Sequence, residues 1–439
     1  MARAGEFFSF KPAHYLAGFL SMSPLSCGID FGTSNSSVAL AHQGDISLVA
    51  VEAGQVTIPS AIFFRGKENA PIYGRAAVDL FFSRENGRFM RSLKRVLGTS
   101  LMKQGTLVNG KVMKFEKIIA PFLQNLKDKA TAQAQQDIEN VVMGRPVHFI
   151  DNDPEGDKRA EQELRFIAQS VGFKNIEFQF EPIAAAFAHE VKISGEKLAI
   201  VVDLGGGTSD FTVIRLSGKY IGKTDRASDI LANTGVRIGG NDFDKNLSLS
   251  VIMPELGYET TYGEKNLEVP PKPYHDLAEW SKVNFVYTTK VIFQTQQMLF
   301  QAHDKKRFKR LLNLLEQKTG HSLLASAEDA KIALTALDEY TAVCDFIEDG
   351  FTIPVKRMEF EASIQSEIRK IVESARQCLT QAGVTSDRID LVILTGGSTE
   401  LPAIQAEFRK LFPNAAVADE NKLSSVGLGL AYDSASRFS

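Results

Sequence analysis

The sequence predicts an α/β protein built as two similar halves around a cleft, and three observations predict it. One turn is written twice. Asp30-Phe31-Gly32-Thr33-Ser34-Asn35-Ser36 returns as Asp203-Leu204-Gly205-Gly206-Gly207-Thr208-Ser209, an Asp-x-Gly-x-x-x-Ser pattern in both places. Short apolar runs of strand length alternate with stretches of helical periodicity through both halves. The chain has 439 residues, 44% of them hydrophobic, which is enough for two or more cores.

Taken in order, the elements follow from local pattern. Tyr15 to Leu20 is an apolar stretch behind Arg3 and Lys11. It is short for a secretory signal and has no small-residue cleavage site, so residues 1–25 are expected to be a disordered or mis-assigned extension, with Met22 an alternative start. Residues 26–64 read as strands and turns. The first copy of the turn lies between Cys27-Gly28-Ile29 and Val38-Ala39-Leu40, which makes a hairpin. Residues 75–137 are mixed, and Glu116 to Asn140 is mostly helical in composition. Val141 to Ile150 reads as a buried strand broken by Gly144 and Pro146. Lys158 to Val171 predicts a helix with Ala160, Leu164, Ile167, Ala168 and Val171 on its apolar face. Phe178 and Phe180 sit in a strand, and a helix starts at Pro182, where proline is tolerated in the first turn.

The second half repeats the scheme. Strands Leu198 to Val202 and Phe211 to Ile214 flank the triple-glycine turn, and Ile238-Gly239-Gly240-Asn241-Asp242-Phe243-Asp244 opens a helix. Residues 254–276 are rich in proline and glycine and predict irregular structure. Helices dominate from Ala278 to Leu337. Ile389 to Leu394 is an apolar strand leading into Thr395-Gly396-Gly397-Ser398, then a helix with Leu401, Ile404, Phe408 and Leu411 inward. Val426 to Tyr432 predicts a terminal helix.

Composition removes several function classes. Fifty Lys and Arg against 53 Asp and Glu leave a net charge of −3, which argues against a broad nucleic-acid footprint. Cys27, Cys344 and Cys378 are far apart and without metal-ligand spacing, as in a reduced cytosolic protein. The sequence contains no run of about 18 or more apolar residues, so no membrane span is expected. The duplicated turns point instead to a phosphate chain. Glycine lets a backbone approach closely, consecutive amides form an anion-binding concavity, and each turn adds small hydroxyls and a carboxylate.

Five segments then line up: the two hairpins, Glu181-Pro182-Ile183-Ala184-Ala185-Ala186, Gly239-Gly240-Asn241-Asp242-Phe243-Asp244, and Leu394-Thr395-Gly396-Gly397-Ser398. As an ordered set, from about Ser26 to Tyr432, they resemble the nucleotide-binding region of the DnaK (heat shock protein 70) chaperone family, and within it the short YegD-like branch. The resemblance implies an actin-like ATPase fold: two duplicated ribonuclease-H-like domains with inserted subdomains around a nucleotide cleft. The first lobe would span 26–198 with an insertion at about 60–137. The second would span 199–439 with an insertion at about 241–350 and a terminal helix returning to the first lobe.

The same resemblance implies ATP/ADP and Mg2+ as cofactors and assigns roles residue by residue. Asp30 and Asp203 would hold Mg2+ through its waters, and Asp210 would help place the attacking water. Gly32, Thr33, Ser34 and Asn35 would face the outer phosphates from one side, and Gly205, Gly206, Gly207 and Thr208 from the other. Glu181 would orient the nucleophilic water and Lys94 would reach the terminal phosphate. Gly239 and Gly240 would add to the nucleotide pocket. Glu328, Lys331 and Thr335, at i, i+3 and i+7, would hold the adenosine opposite Gly396, Gly397 and Ser398, with Ala330, Leu334 and Leu337 on the apolar side.

Two departures stand out. Glu400 occupies the place of an arginine that stacks on adenine, a contact a carboxylate cannot make. Residues 254–325 are longer and more proline-rich than the corresponding lobe. The sequence ends at Ser439 with no acidic, leucine-rich linker and no peptide-gripping β-sandwich, so a chaperone role is expected to run through a co-chaperone or other protein partner. The expected protein is a slowly hydrolysing Mg-dependent ATPase of the cytoplasm, with no nucleic-acid or membrane partner. A nucleotide-sensing scaffold with little turnover and an actin-fold small-molecule kinase stay open as alternatives.

Overall fold

The computed structural model describes residues 24–66, 70–83, 85–221, 223, 226–418 and 424–439. The expectation for residues 1–25, including the alternative start at Met22, lies almost wholly outside the described residues. The chain forms two compact units. The first is residues 1–237, 373–399 and 409–439, and the second is residues 238–372 and 400–408.

The first unit holds two sheets with one topology. In one, Ser26–Phe31 pairs antiparallel with Asn35–His42, which pairs antiparallel with Asp45–Leu48; on its other side Ser26–Phe31 runs parallel to Asn140–Arg145, and that strand parallel to Asn175–Phe180. In the other, Glu196–Leu204 pairs antiparallel with Ser209–Ser217, which pairs antiparallel with Ile230–Val236; on its other side it runs parallel to Leu391–Thr395 and that strand to Ala416–Ala418. Apart from the short strand Thr57–Pro59, which pairs with Asn35–His42 in the first sheet only, both read 3-2-1-4-5 when numbered within each sheet, so the duplicated turn belongs to a duplicated sheet. The central strands are buried on both faces: Cys27, Ile29 and Phe31 on one face with Ser26 and Gly28 on the other, and the continuous run Ala199 to Val202. That is why they read as continuous apolar runs rather than as alternation.

Most elements fall where the sequence places them. The helices Glu116–Ala134, Pro154–Ser170, Glu181–Glu190 and Ser425–Arg437 all form. Leu401, Ile404, Phe408 and Leu411 are buried along Pro402–Leu411. One strand is shorter than expected. It ends at Arg145 rather than Ile150, because Pro146 has no N–H for the ladder. Gly144 does not break it: the residue is fully paired with Gln179.

The terminal helix Ser425–Arg437 lies on Ser26–Phe31 and on Glu181–Glu190 at backbone distance. A Cβ at Gly429 would sit 1.6 Å from the Ala184 carbonyl oxygen, and one at Gly28 would sit 2.4 Å from the Ala431 nitrogen.

The second unit is mainly helical. Gly240–Leu247 continues through a π turn, Ser248–Ile252, into Met253–Leu256. Residues 254–276 are irregular apart from the short pair Thr261–Tyr262 and Leu267–Glu268 and the helix Lys272–Leu277. Helices Thr289–Gln301, Lys305–Gln317 and Gly320–Ala333 follow, then the hairpin of Glu339–Val343 and Thr352–Lys356. Phe308, Leu311, Leu314 and Leu315 are buried on Lys305–Gln317. Among the described residues no helix is long and apolar enough to cross a membrane.

Candidate functional site

Both glycine-rich turns belong to the first unit and face each other. A Cβ at Gly206 would lie 2.1 Å from Ser34 Oγ, and one at Gly207 would lie 2.9 Å from Thr33 Oγ1 and 3.4 Å from Arg95 Cγ. Glycine is therefore needed at these two positions by the opposite hairpin itself. At Gly205 the nearest atom to a Cβ would be 3.7 Å away, so protein atoms alone do not demand glycine there. The second turn is closed by a 3.0 Å bond from the Gly205 N–H to the Thr208 carbonyl.

The first turn is held from outside the hairpin. The Ser60 hydroxyl donates to the Gly32 carbonyl at 2.7 Å, its N–H donates to the Ser34 carbonyl at 2.8 Å, and its oxygen lies 2.8 Å from Ser36 Oγ. The duplicated pattern did not point to Ser60. Its only signal was its place after Pro59, where a chain turns between two strands.

Matched ladder positions carry the carboxylates. Asp30 is opposite Ser37, and Asp203 is opposite Asp210. Asp203 and Asp210 are buried, with Asp30 half-buried. Burial and the nearby Glu181 push the Asp30 carboxyl up to about 7 against the pull of Lys94. Asp210 is likewise pushed up to about 7 by burial and Glu181, against the Thr208 hydroxyl, the Val147 N–H and Lys94. Asp203 is raised well above the ordinary range by burial and then by Glu181, Asp210 and Asp30. The Val147 N–H donates to Asp210 Oδ1 at 2.8 Å, while Oδ2 is buried without a hydrogen-bond partner among the described residues. Gly235, paired with Asp210 across the ladder, leaves room for this carboxylate, since a Cβ there would lie 2.5 Å from Oδ1.

Lys94 and Glu181 complete the group. Lys94 lies in the turn Leu93–Val96, entered through Ser92 in a left-handed conformation at φ 58°. Glu181 is the first residue of Glu181–Glu190. Both are buried, and Lys94 Nζ donates to Glu181 Oε1. Burial alone would discharge the ammonium, but Glu181, Asp30 and Asp210 outweigh it and hold the Lys94 pKa above its ordinary range.

The turn after Leu391–Thr395 joins this group through the second hairpin. Thr395 pairs with Asp203, Ser398 Oγ donates to the Gly205 carbonyl at 3.2 Å, and a Cβ at Gly396 (φ 82°) would lie 2.2 Å from the Leu204 carbonyl oxygen. Lys94, Glu181, Asp203, Thr208, Asp210, Asp30, the residues of both turns and Gly396 to Ser398 are thus parts of one unit.

The other candidates lie in the second unit. Gly239 and Gly240 open Gly240–Leu247, and the Gly239 N–H donates to Asp242 Oδ2 at 2.9 Å. Lys331 pairs at 2.8 Å with the buried Asp244. The helix Gly320–Ala333 carries Glu328 and Lys331 but ends before Thr335, which lies in the following turn with its hydroxyl donating to the Ile332 carbonyl. The three do not share one continuous helical face, and Leu337, expected on the apolar side, is 51% exposed.

The donor set can be tested against a magnesium-bound polyphosphate. The site offers oxygen ligands, a buried carboxylate oxygen without a hydrogen-bond partner among the described residues, several carboxylates short of positive charge, and two facing glycine turns. Among the described residues no three His, Cys, Asp or Glu side chains converge to hold a metal directly. Such a set suits a hard cation that keeps its waters. The residues fit the group.

One consequence needs no ligand. Asp210 is disfavoured as a carboxylate in the fold, so it destabilises the nucleotide-free protein above about pH 7, where it is ionised. The penalty shrinks as pH falls and is gone near the ordinary carboxyl pKa, where both folded and unfolded states are protonated. Asp210→Asn keeps an acceptor for Val147 and removes the charge. It is expected to raise stability at pH 8 by on the order of 2–4 kcal/mol and to change little near pH 4. Thermal melts at the two pH values check this, and a lower midpoint at pH 8 refutes it.

Comparison with known proteins adds two findings. The family described as "Hsp70 protein" matches residues 26–261 and 295–435. The "Chaperone protein HscA homolog" of Shewanella piezotolerans is 27% identical over 433 residues, covering 93% of this chain and 58% of that protein. The chain thus spans less than two thirds of the length of that relative.

Proposed function

The chain belongs to the Hsp70 family, with its actin-like ATPase fold, and from that premise we propose that it binds Mg-ATP at the paired hairpins and hydrolyses it slowly as a chaperone component acting through a partner protein. The observation that carries this reading is the pair of facing glycine turns beside Asp30, Asp203, Asp210, Lys94 and Glu181.

In this reading the backbone N–H groups of Gly32 to Asn35 and Gly206 to Thr208 cradle the outer phosphates, the Gly205 N–H being used to close its turn. Asp30 and Asp203 hold the hydrated cation. A bound magnesium ion would neutralise charge on the phosphate oxygens as the terminal group is transferred. Lys94 supplies a fixed ammonium for the charge that develops there, and its buried setting makes that charge count for more than it would in water. Glu181 keeps the ammonium protonated and, with Asp210, accepts hydrogen bonds from the attacking water. The lobes are placed at 26–198 and 199–439, and the compartment is taken to be the cytoplasm. Adenosine contacts by Glu328, Lys331 and Thr335 are a separate expectation, carried by resemblance alone.

The expected result is Mg-dependent ATP binding by calorimetry and slow phosphate release with no second substrate. Asp203→Ala should abolish both, and Thr208→Ala should lower turnover by about tenfold or more. No heat of binding with Mg-ATP would remove the proposal at its base. Phosphate release only after adding an acceptor would move the protein to the small-molecule kinases.

A further inference from the structure

The helix Thr289–Gln301 is unusual within the second unit. It carries Val291, Ile292, Phe293, Met298, Leu299 and Phe300, yet the only residue it buries is Thr295. Phe293 is 58% exposed and Phe300 is 76% exposed. They are seven residues apart, hence on one face and about 10 Å apart along the axis. Lys290 and Gln297 are exposed on the same face. Two phenylalanines aligned on a solvent face have no role in the unit's own core, and such patches mark interaction sites.

Charge says what kind of partner fits. From Trp280 to His303 there is no Asp or Glu, in a chain with 53 of them. Lys305, Lys306 and Lys309 are exposed on Lys305–Gln317, the helix packed against Thr289–Gln301. The one acid of Lys305–Gln317, Glu316, is engaged by Gln296 at 3.0 Å. Arg307 and Arg310 of that helix are already paired with Glu255, and Arg310 also with Glu348. A second copy of this chain would bring lysines against lysines. A membrane-surface helix would carry a Lys/Arg-rich polar face of its own, whereas this one carries Lys290 alone, and the other lysines sit on the neighbouring helix, which also brings Glu316 against Gln296. Phe293 lies in the stretch 262–294, between the two ranges that the family matches, whereas Phe300 and the three lysines lie inside the second range.

We propose that the outward face of Thr289–Gln301, anchored by Phe293 and Phe300 and flanked by Lys290, Lys305, Lys306 and Lys309, is a docking surface for an acidic polypeptide segment with apolar side chains at helical i, i+7 spacing. Apolar anchors supply most of the affinity, and the lysines set orientation and on-rate. The surface needs no nucleotide and stands apart from the ATP reading.

The probe is a fluorescein-labelled synthetic peptide, Glu-rich with Leu and Phe at that spacing, titrated with the full chain and read by anisotropy. Binding is expected in the micromolar range. It should weaken at least about tenfold in Phe293→Ser/Phe300→Ser and in Lys305→Glu/Lys309→Glu, and weaken as salt rises. All four side chains are exposed, so thermal melts should match the unaltered protein and exclude unfolding as the cause. No binding, unchanged binding by the double variants, or equal binding of the same peptide with Lys in place of Glu overturns the proposal. So does a dimer in sedimentation, or retention on phosphatidylserine vesicles, that the Phe293→Ser/Phe300→Ser change removes, since either gives the face another occupant.

Discussion

In the Lys94→Ala protein, turnover is expected to fall by about a hundredfold or more while Mg-ATP affinity changes by less than about threefold. The unequal split follows from where the ammonium lies. Lys94 is buried, bonded to Glu181, and kept charged by Glu181, Asp30 and Asp210. In the proposed site a ground-state polyphosphate would already have two backbone cradles, so the fixed ammonium is expected to matter most when charge shifts toward the leaving group. Glu181→Gln should lower turnover by a comparable factor, because it removes the charge and one of the two acceptor oxygens, so the water and Lys94 compete for the one that remains. Glu181→Ala is the harsher change, since breaking a buried pair leaves an uncompensated charge and costs about 3–5 kcal/mol. Single-turnover rates and calorimetric affinities separate the cases. Equal losses of rate and affinity in Lys94→Ala, with a lowered melting midpoint, would make the pair a structural contact.

How far the site was legible follows from the range of each signal. The paired turns, their flanking strands, Lys94 and Glu181 are local patterns, and the structure places them in one unit. What the sequence hid was every support that arrives from far along the chain. Ser60 braces the first turn from the next strand corner, and the Val147 amide reaches Asp210 across 63 residues. Gly235 makes space for a carboxylate on a neighbouring strand. None of these residue types is unusual in its own window, so periodicity and turn chemistry pass over them. Of the two breaks expected between Val141 and Ile150, Pro146 does end the strand, at Arg145, while Gly144 stays in the ladder, because only proline lacks the N–H that the ladder needs. Counting i, i+3 and i+7 across Glu328, Lys331 and Thr335 assumed two further residues of helix that the end at Ala333 denies. Spacing rules hold only inside an element, and ends are where they fail.

The largest stability effect is expected at Gly429. A Cβ there would lie 1.6 Å from the Ala184 carbonyl oxygen and 2.3 Å from its carbon. Neither atom can swing aside, because both are backbone of Glu181–Glu190. Overpacking a core usually costs about 1–3 kcal/mol when side chains can adjust, so Gly429→Ala should exceed ~3 kcal/mol or prevent folding. Gly195→Ala is the control: its φ of 75° strains an alanine, but nothing lies within 4 Å, and a loss of about 1 kcal/mol is expected. The damage should reach the site as well. Ser425, at the start of the terminal helix, is 3.0 Å from the Thr395 hydroxyl, and a Cβ at Gly427 would lie 2.5 Å from Ser37 Oγ in the first hairpin. Glu181 starts the very helix that Gly429 abuts. A terminal helix pushed outward would therefore loosen both hairpins and the residue that holds Lys94. Soluble Gly429→Ala protein should melt well below Gly195→Ala and bind Mg-ATP more weakly, and equal midpoints for the two variants would show that the helix can shift without consequence.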